Sequence, residues 1–381
     1  MRIALVHEFL TQNGGAERVL DAFHELWPNA PIYTSVYDQK TMANRYWYAD
    51  VRPSSLQRFY GSAKRYRFAV SKFAAAFEEF DFRDFDVVIS SSWAFAKGVI
   101  TRPECCHICY CHTPARLAWQ FDSYVGVAGL GSVITGFLRN RASELRTWDV
   151  AASQRVDYFI ANSYNVARRI RKYYGRESSV IHAPVDVSRF SISETDPEDF
   201  YLLVGRMIPY KRMDVAVEAF TRLNKPLIVV GDGPHLKRLK SIAGQSVEFL
   251  GRVSDTEVAR LMAKCKAVVH TGEEDFGIVP LEAMASGRPV IAFGAGGAVE
   301  TVIEGRTGTL YGTQTSSSLL QAVRHFESME FNPNDLRRHA EAYDVELFKT
   351  RILRTVEDYF AKHVATYKSE IALSIPHIQP I

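Results

Sequence analysis

Residues 267–302 read AVVHTGEEDFGIVPLEAMASGRPVIAFGAGGAVETV. The β-branched run 267–271 reads as a strand, and an acidic, glycine-containing loop leads from it into a short helix over 280–285. Pro280 suits the first turn of a helix, where its missing N–H has no partner to lose. Gly287 stops that helix, PVIAF forms the next strand, and FGAGG forms a second glycine-rich turn. Strands joined through a helix run parallel, since a direct return would need only a tight hairpin. The stretch therefore reads as one unit of an α/β fold built on a parallel sheet.

The same alternation runs outward in both directions. RIALV, DVVIS, HICYC and DYFIAN precede it, and YLLVG, PLIVVG and VEFLG lead up to it. With 381 residues, of which 47% are hydrophobic, the chain can fill two cores. The expectation is an α/β protein of two Rossmann-like, doubly wound domains facing a central cleft. The first domain is placed at 1–184, where a strand reaching Ala183 is stopped by Pro184, and the second at 185–345. Residues 346–381 are expected to form a helix to about Ala365 that packs back on the first domain, followed by a loose tail. The carboxyl ends of both sheets would meet at the cleft, where open α/β sheets bind ligands.

Composition narrows the partners. A formal charge of +3 and the lack of a recognition motif argue against nucleic acid. Five cysteines, an odd number, and an N-terminus without the pattern of a signal peptide favour a reducing compartment, so the cytoplasm is expected. No window reaches the roughly 18 apolar residues of a spanning helix.

Three strand-end loops carry candidate chemistry. In EFLTQNGGAERVL, Gly14 and Gly15 precede a helix and let backbone N–H groups approach an anion; a tight turn would read the same way. In VGRMIPYKRMD, Arg206 and Lys211 flank Pro209 and can neutralise a diphosphate, unless they are only a solvated basic loop. In the opening stretch, Glu274 and Glu282 can accept from sugar hydroxyls while the amides of residues 276–279 donate. The same acids are also compatible with acid/base chemistry, or with simple decoration of a helix N-terminus. FGAGG reads as a further anion cradle. Ser254 and Glu257 form a capping box, and Gly231 and Gly233 permit unusual backbone angles.

The stretch 105–119, CCHICYCHTPARLAW, first suggests zinc. Cys106 and Cys109 have the spacing, but no second Cys/His pair matches them. Read as a strand, Cys105, His107, Cys109 and Cys111 share one face and Cys106, Ile108, Tyr110 and His112 the other. His112 then stands at the cleft edge, just before Thr113 and Pro114.

GGAERV, YCHTPARLAW, ANS, VGRMIPYKR, VVGDGP, EEDFGIVPLEAMASGRPVIAFGAGG and ETV…GRTGTL resemble, in order and spacing, the retaining glycosyltransferases of family 4, which have the GT-B fold. The likeness extends over about residues 1–360, and within the family the chain looks similar to bacterial mannosyl- and glucosyltransferases that build surface polysaccharides. It implies that Arg206, Lys211 and Gly15 bind the donor diphosphate and Glu282 the ribose. Glu274, Asp275, Phe276, Gly277 and Ile278 would hold the transferred sugar, with His112 beside it and His112 and Glu274 as the catalytic pair. Arg252 and Val253 would meet the base, and Gly14 and Gly15 the acceptor side. No metal and no other cofactor is implied; the partners are a UDP- or GDP-linked hexose and a saccharide acceptor carried on a polyprenyl diphosphate.

The segment 52–72 adds Arg52, Arg58, Lys64, Arg65, Arg67 and Lys72 among aromatics, a composition suited to an anionic membrane face on the cytoplasmic side or to a solvated helix. The alternatives are a nucleotide-sugar epimerase of the same fold and a zinc-binding regulatory protein. A dinucleotide-dependent dehydrogenase is disfavoured, because no GxGxxG follows a strand.

Overall fold

The computed structural model describes residues 1–42, 45–60, 70–121 and 132–374. The first sheet contains β1 (Ile3–His7), β2 (Ile32–Thr34), β3 (Val51–Pro53), β4 (Val87–Ser92), β5 (Cys106–Cys111), β6 (Tyr158–Ala161) and β7 (Ser178–Val180). They lie in the order β3-β2-β1-β4-β5-β6-β7, and every pairing is parallel. The second sheet contains β8 (Tyr201–Val204), β9 (Leu227–Val230), β10 (Val247–Gly251), β11 (Val268–His270), β12 (Val290–Phe293) and β13 (Gly308–Tyr311), in the order β10-β9-β8-β11-β12-β13 and again parallel.

Alternation along the strands supplies a core to each face. In the second sheet Leu202, Val268 and Val290 enter one cluster, while Tyr201, Leu203, Val269 and Ile291 enter another. In β5, Cys106, Ile108 and Tyr110 join one cluster and Cys109 and Cys111 a different one. This divides the cysteines between two faces, so the Cys106–Cys109 spacing does not converge on a metal. All five cysteines are free thiols in buried positions. Among the described residues, the group able to offer metal ligands together is Cys106, Asp157 and His363, at the end of β5 away from the cleft.

Several boundaries differ from the sequence reading. β7 ends at Val180 rather than Ala183, and His182 turns its ring to Glu300 instead. The last helical stretch breaks at residues 342–344 into helices Pro333–Glu341 and Val345–Ser374. Residues 369–374 of the expected loose tail are helical, and 375–381 lie outside the described residues. The capping box is half made: Ser254 accepts from the Glu257 N–H at 3.1 Å, but the Glu257 carboxylate turns to Arg260.

The chain crosses between the sheets twice. Val185 N–H donates to the Tyr343 carbonyl at 3.0 Å and Val345 N–H to the Val185 carbonyl at 3.1 Å, so the two crossings are paired. Helix Val345–Ser374 then lies on the first domain, where Phe348 stacks on Phe23 at 6.0 Å and meets Tyr110 edge-on at 5.7 Å.

Under the first sheet, Lys97 and Asp149 form an ion pair at 2.5 Å that is 1% and 0% exposed. Asp149 also accepts from Trp119 Nε1 and the Tyr174 hydroxyl, both at 2.7 Å. Removing one member of such a pair strands a buried charge, which costs about 3–5 kcal/mol. Lys97→Met is accordingly expected to lower the unfolding free energy by about that amount in urea titration; a loss below about 1 kcal/mol would mean that the pair is relieved by water.

Candidate functional site

Strand order reverses between β1 and β4 in the first sheet and between β8 and β11 in the second. Crevices open at the carboxyl ends of strands at such switch points. The loops leaving these strands carry Gly14 and Gly15 after β1, Arg206 and Lys211 after β8, and Glu274 to Gly277 after β11.

The two edges touch. Helix Gly15–Leu26 starts so close to helix Ile278–Ala285 that a Cβ on Gly15 would lie 2.7 Å from Ile278 Cδ1. Three residues on, Arg18 pairs with Oε1 of Glu282, which is buried. Arg206, exposed at the mouth, reaches Gln12 Oε1 at 3.4 Å.

Lys211 and Glu274 meet at the centre, Nζ to Oε1 at 2.7 Å. Burial alone would neutralise both, but each is held charged by the other. Burial pushes the Glu274 carboxyl up; Lys211 outweighs it, aided by His270 and Arg116, and holds the group at about 2. Burial pulls the Lys211 ammonium down, but the charge and hydrogen bond of Glu274 together with Tyr210 more than restore it, so it ends above its ordinary value. His270, at the end of β11, is lowered by the same burial. Gly277 precedes the helix at φ +86, a conformation that favours glycine, with its ring neighbour His270 Nε2 3.5 Å from where a Cβ would stand.

The FGAGG turn does a different job from the anion cradle expected. A Cβ on Gly297 would fall 2.1 Å from the Phe276 carbonyl oxygen, and Gly297 N–H donates to the Glu274 carbonyl at 2.8 Å. Those glycines form the floor on which the acidic loop rests.

Asp275, expected among the sugar-holding residues, has its carboxylate elsewhere. Arg116 from the loop after β5 and Arg169 from helix Tyr164–Tyr174 both donate to it across the cleft. Ser163 Oγ donates to the Asp275 carbonyl at 2.7 Å while capping its own helix through Val166 N–H. Glu300 accepts from the N–H groups of Tyr164 and Asn165, at 2.9 and 2.7 Å. An acid of the second domain thus sits at the positive end of a helix of the first. Beside this latch, a cavity of about 310 Å³ is lined by Arg116, Gln120, Tyr210, Arg212 and Gln314 among others.

His112 follows β5 directly. Its Nε2 bonds Ser91 Oγ at 2.8 Å, and Tyr110 and Trp93 wall its ring edge-on at 5.2 and 5.9 Å. Burial lowers its basicity to about 3, so it is a neutral imidazole. Phe276 packs its ring on His182 at 5.2 Å. Arg252 is exposed and Val253 half-buried just beyond edge strand β10, two strands from the β8/β11 switch point.

Of the basic segment, Arg52 pairs with Asp50 and Tyr33, and Arg58 and Lys72 are exposed. Lys64, Arg65 and Arg67 lie outside the described residues. No helix among the described residues is long and apolar enough to cross a membrane.

Sequence reasoning missed Arg18, Arg116 and Arg169, which supply the cations across the cleft. Two of them stand inside motifs already singled out, GGAERV and HTPARLAW; only an estimate of which charges face each other would have found them.

Known proteins resemble this chain in sequence and fold. The chain matches the family Glycosyltransferase Family 4 over residues 13–189 and the family Glycosyl transferases group 1 over 185–343. An uncharacterised glycosyltransferase of Methanocaldococcus jannaschii is 35% identical over 130 residues, 33% of this chain and 37% of that protein. The D-rhamnosyltransferase WbpZ of Pseudomonas aeruginosa is 31% identical over 157 residues, 39% and 41% of the two chains. The matched stretch therefore spans well under two thirds of either relative. Among solved structures, HepE of Anabaena in complex with UDP-glucose aligns with a TM-score of 0.69 at 19% identity, covering 93% of this chain and 99% of that one. Sucrose-phosphate synthase of Thermosynechococcus elongatus aligns with a TM-score of 0.73 at 17% identity, covering 94% and 99%. With two parallel-sheet domains facing one cleft and both family descriptions matched in series, the chain belongs to the family 4 glycosyltransferases and has their GT-B fold.

Proposed function

We propose that the protein transfers a hexose, glucose or mannose, from a UDP- or GDP-linked donor to a saccharide acceptor on a polyprenyl diphosphate, with retention of anomeric configuration, in surface polysaccharide synthesis. The observation that carries the reading is the Lys211–Glu274 pair at the β8/β11 switch point, with Gly15 and the start of its helix closing the crevice from the other domain. A leaving diphosphate develops charge as the glycosidic bond breaks, and fixed cations stabilise that charge best where water is excluded. Lys211 and Arg206 are such cations, and the Gly15 amide adds a dipole. They supply the charge that a divalent metal would, so metal-independent transfer is part of the proposal.

In the step itself, the acceptor oxygen bonds the anomeric carbon on the face that the diphosphate leaves, and its proton passes to the departing phosphate oxygen. Glu274 keeps Lys211 in place and accepts from sugar hydroxyls, and His112 flanks the sugar. Glu282 has one oxygen on Arg18 and, as a carboxylate, capacity to accept from a ribose diol. Support also comes from HepE, whose structure holds UDP-glucose, and from WbpZ, a rhamnosyltransferase. The lipid-linked acceptor and a peripheral place on the cytoplasmic membrane face rest on the basic, aromatic segment alone.

Calorimetric titration with UDP, GDP and their glucose and mannose conjugates tests the donor; binding of none of them refutes the proposal. Glu282→Ala is expected to weaken nucleotide binding by about 10- to 150-fold, corresponding to hydrogen bonds of about 1.5–3 kcal/mol to a charged group. His112→Ala should lower turnover roughly tenfold while donor affinity changes less. If both variants transfer sugar at the unaltered rate, the site lies elsewhere.

The pair also sets a pH dependence. Because Glu274 sits at about 2 in the folded chain against an ordinary 4.5, its contribution is complete above 4.5 and is lost as pH falls toward 2. The difference in unfolding free energy between the unaltered protein and Glu274→Gln should stay level from about pH 5 to 8 and narrow below that; a difference that grows on acidification would contradict the pairing.

A further inference from the structure

We infer that Glu17 is a positioning residue: through His7 and Ser91 it holds the proton of His112 on Nε2, so that Nδ1 faces the cleft as a bare acceptor for a sugar hydroxyl. The inference rests on the transferase reading above only for the identity of the hydroxyl.

The four residues form one buried line. His7 ends β1 and Ser91 stands opposite it in β4, in register. His7 Nδ1 lies 3.1 Å from Ser91 Oγ, and Ser91 Oγ lies 2.8 Å from His112 Nε2. On the far side, His7 Nε2 faces Glu17 Oε1 at 3.6 Å, with both side chains 0% exposed. That gap is longer than a hydrogen bond, so the contact is electrostatic. Neither Glu17 oxygen and not His7 Nε2 has a hydrogen-bond partner among the described residues. Glu17 stands in the first helical turn behind Gly14, whose missing Cβ would lie 3.0 Å from Oε2. Trp93 packs edge-on against both rings, at 5.2 Å from His7 and 5.9 Å from His112.

Proton positions follow link by link. With Glu17 as the carboxylate, its oxygens only accept, and a bare Nε2 on His7 would set two lone pairs against each other in a dry site. The His7 proton therefore sits on Nε2, which leaves Nδ1 of the neutral ring as an acceptor. Ser91 has a single hydrogen and donates it to that Nδ1. Its oxygen is then free to accept only, and it accepts from Nε2–H of His112. A neutral imidazole carries one N–H, so Nδ1 of His112 is left bare. A hydroxyl has a hydrogen to offer such an atom; an ether or glycosidic oxygen does not. A protonated Glu17 would reverse every link and a protonated His7 the two that pass through Ser91, and either would present an N–H donor to the cleft instead.

The test is the tautomer itself. In the full-length protein labelled with ¹⁵N-histidine at pH 8, with His112 assigned from its loss in His112→Gln, long-range proton–nitrogen correlation should show Nε2 protonated and Nδ1 bare. Glu17→Leu removes the acceptor and should abolish that preference, whereas Glu17→Gln keeps an acceptor oxygen and should retain it. Ser91→Ala cuts the line nearer to His112 and should abolish the preference too, which keeps the inference testable if Glu17→Leu does not fold. Sugar transfer by Glu17→Leu should fall about 10- to 100-fold in kcat with little change in KM for the donor, the range typical when a partner that orients a histidine is lost. Nδ1 protonated in the unaltered protein, or a tautomer untouched by Glu17→Leu, overturns the inference. Absence of transfer with every donor would sink the proposed function and leave the tautomer result standing.

Discussion

A strand in a parallel sheet cannot turn straight back on its neighbour, so a helix must carry the chain across, and each strand-to-helix loop opens on the same edge. In this protein that constraint acts twice, and the two edges are set against each other. Lys211, Glu274, Gly15 and His112 follow four different strands, yet all stand beyond carboxyl strand ends, and there Lys211 pairs with Glu274 and Gly15 closes on Ile278. The buried helices on both faces of each sheet leave these loops as the places where chemistry can be changed without disturbing a core.

Charge organises what lies between the edges. Arg18 to Glu282, Arg116 and Arg169 to Asp275, and Glu300 to the amides of Tyr164 and Asn165 all cross the cleft, each joining a positive group of the first domain to an acid of the second. Such contacts can be exchanged for those of an anionic ligand, whereas interlocked apolar side chains would resist opening. At the centre, Lys211 and Glu274 keep one another ionised under burial that would neutralise either alone. The cation at the centre of the cleft thus stays charged without any ligand beside it.

Much of this was legible in the chain. The alternation of β-branched runs and helical segments fixes two parallel sheets, and the loops after RIALV, YLLVG and AVVHT hold Gly15, Lys211 and Glu274 where they were expected. What escaped the sequence has a common physical cause. Asp275 and Glu274 are neighbours with the same chemistry, and only the approach of Arg116 and Arg169 from another domain turns one to the latch and leaves the other on Lys211. FGAGG has the composition of an anion cradle, but glycine is also what a close backbone crossing requires, and Gly297 is used for the crossing. The cysteines of β5 resemble a metal motif in one dimension and are divided by the pleat in three. Partner choice over long sequence distances is invisible to spacing and periodicity.

The last long helix has a consequence for how the protein is made. Phe348 covers Phe23 and Tyr110 of the first domain, although the whole second domain is synthesised between them. During translation the first sheet can therefore assemble early but keeps an aromatic patch bare until the ribosome has passed residue 348. Nascent chains expose such patches to chaperones and to one another. The domain that begins first is finished last, and the paired crossings at Val185 and Val345 cannot form before that moment either.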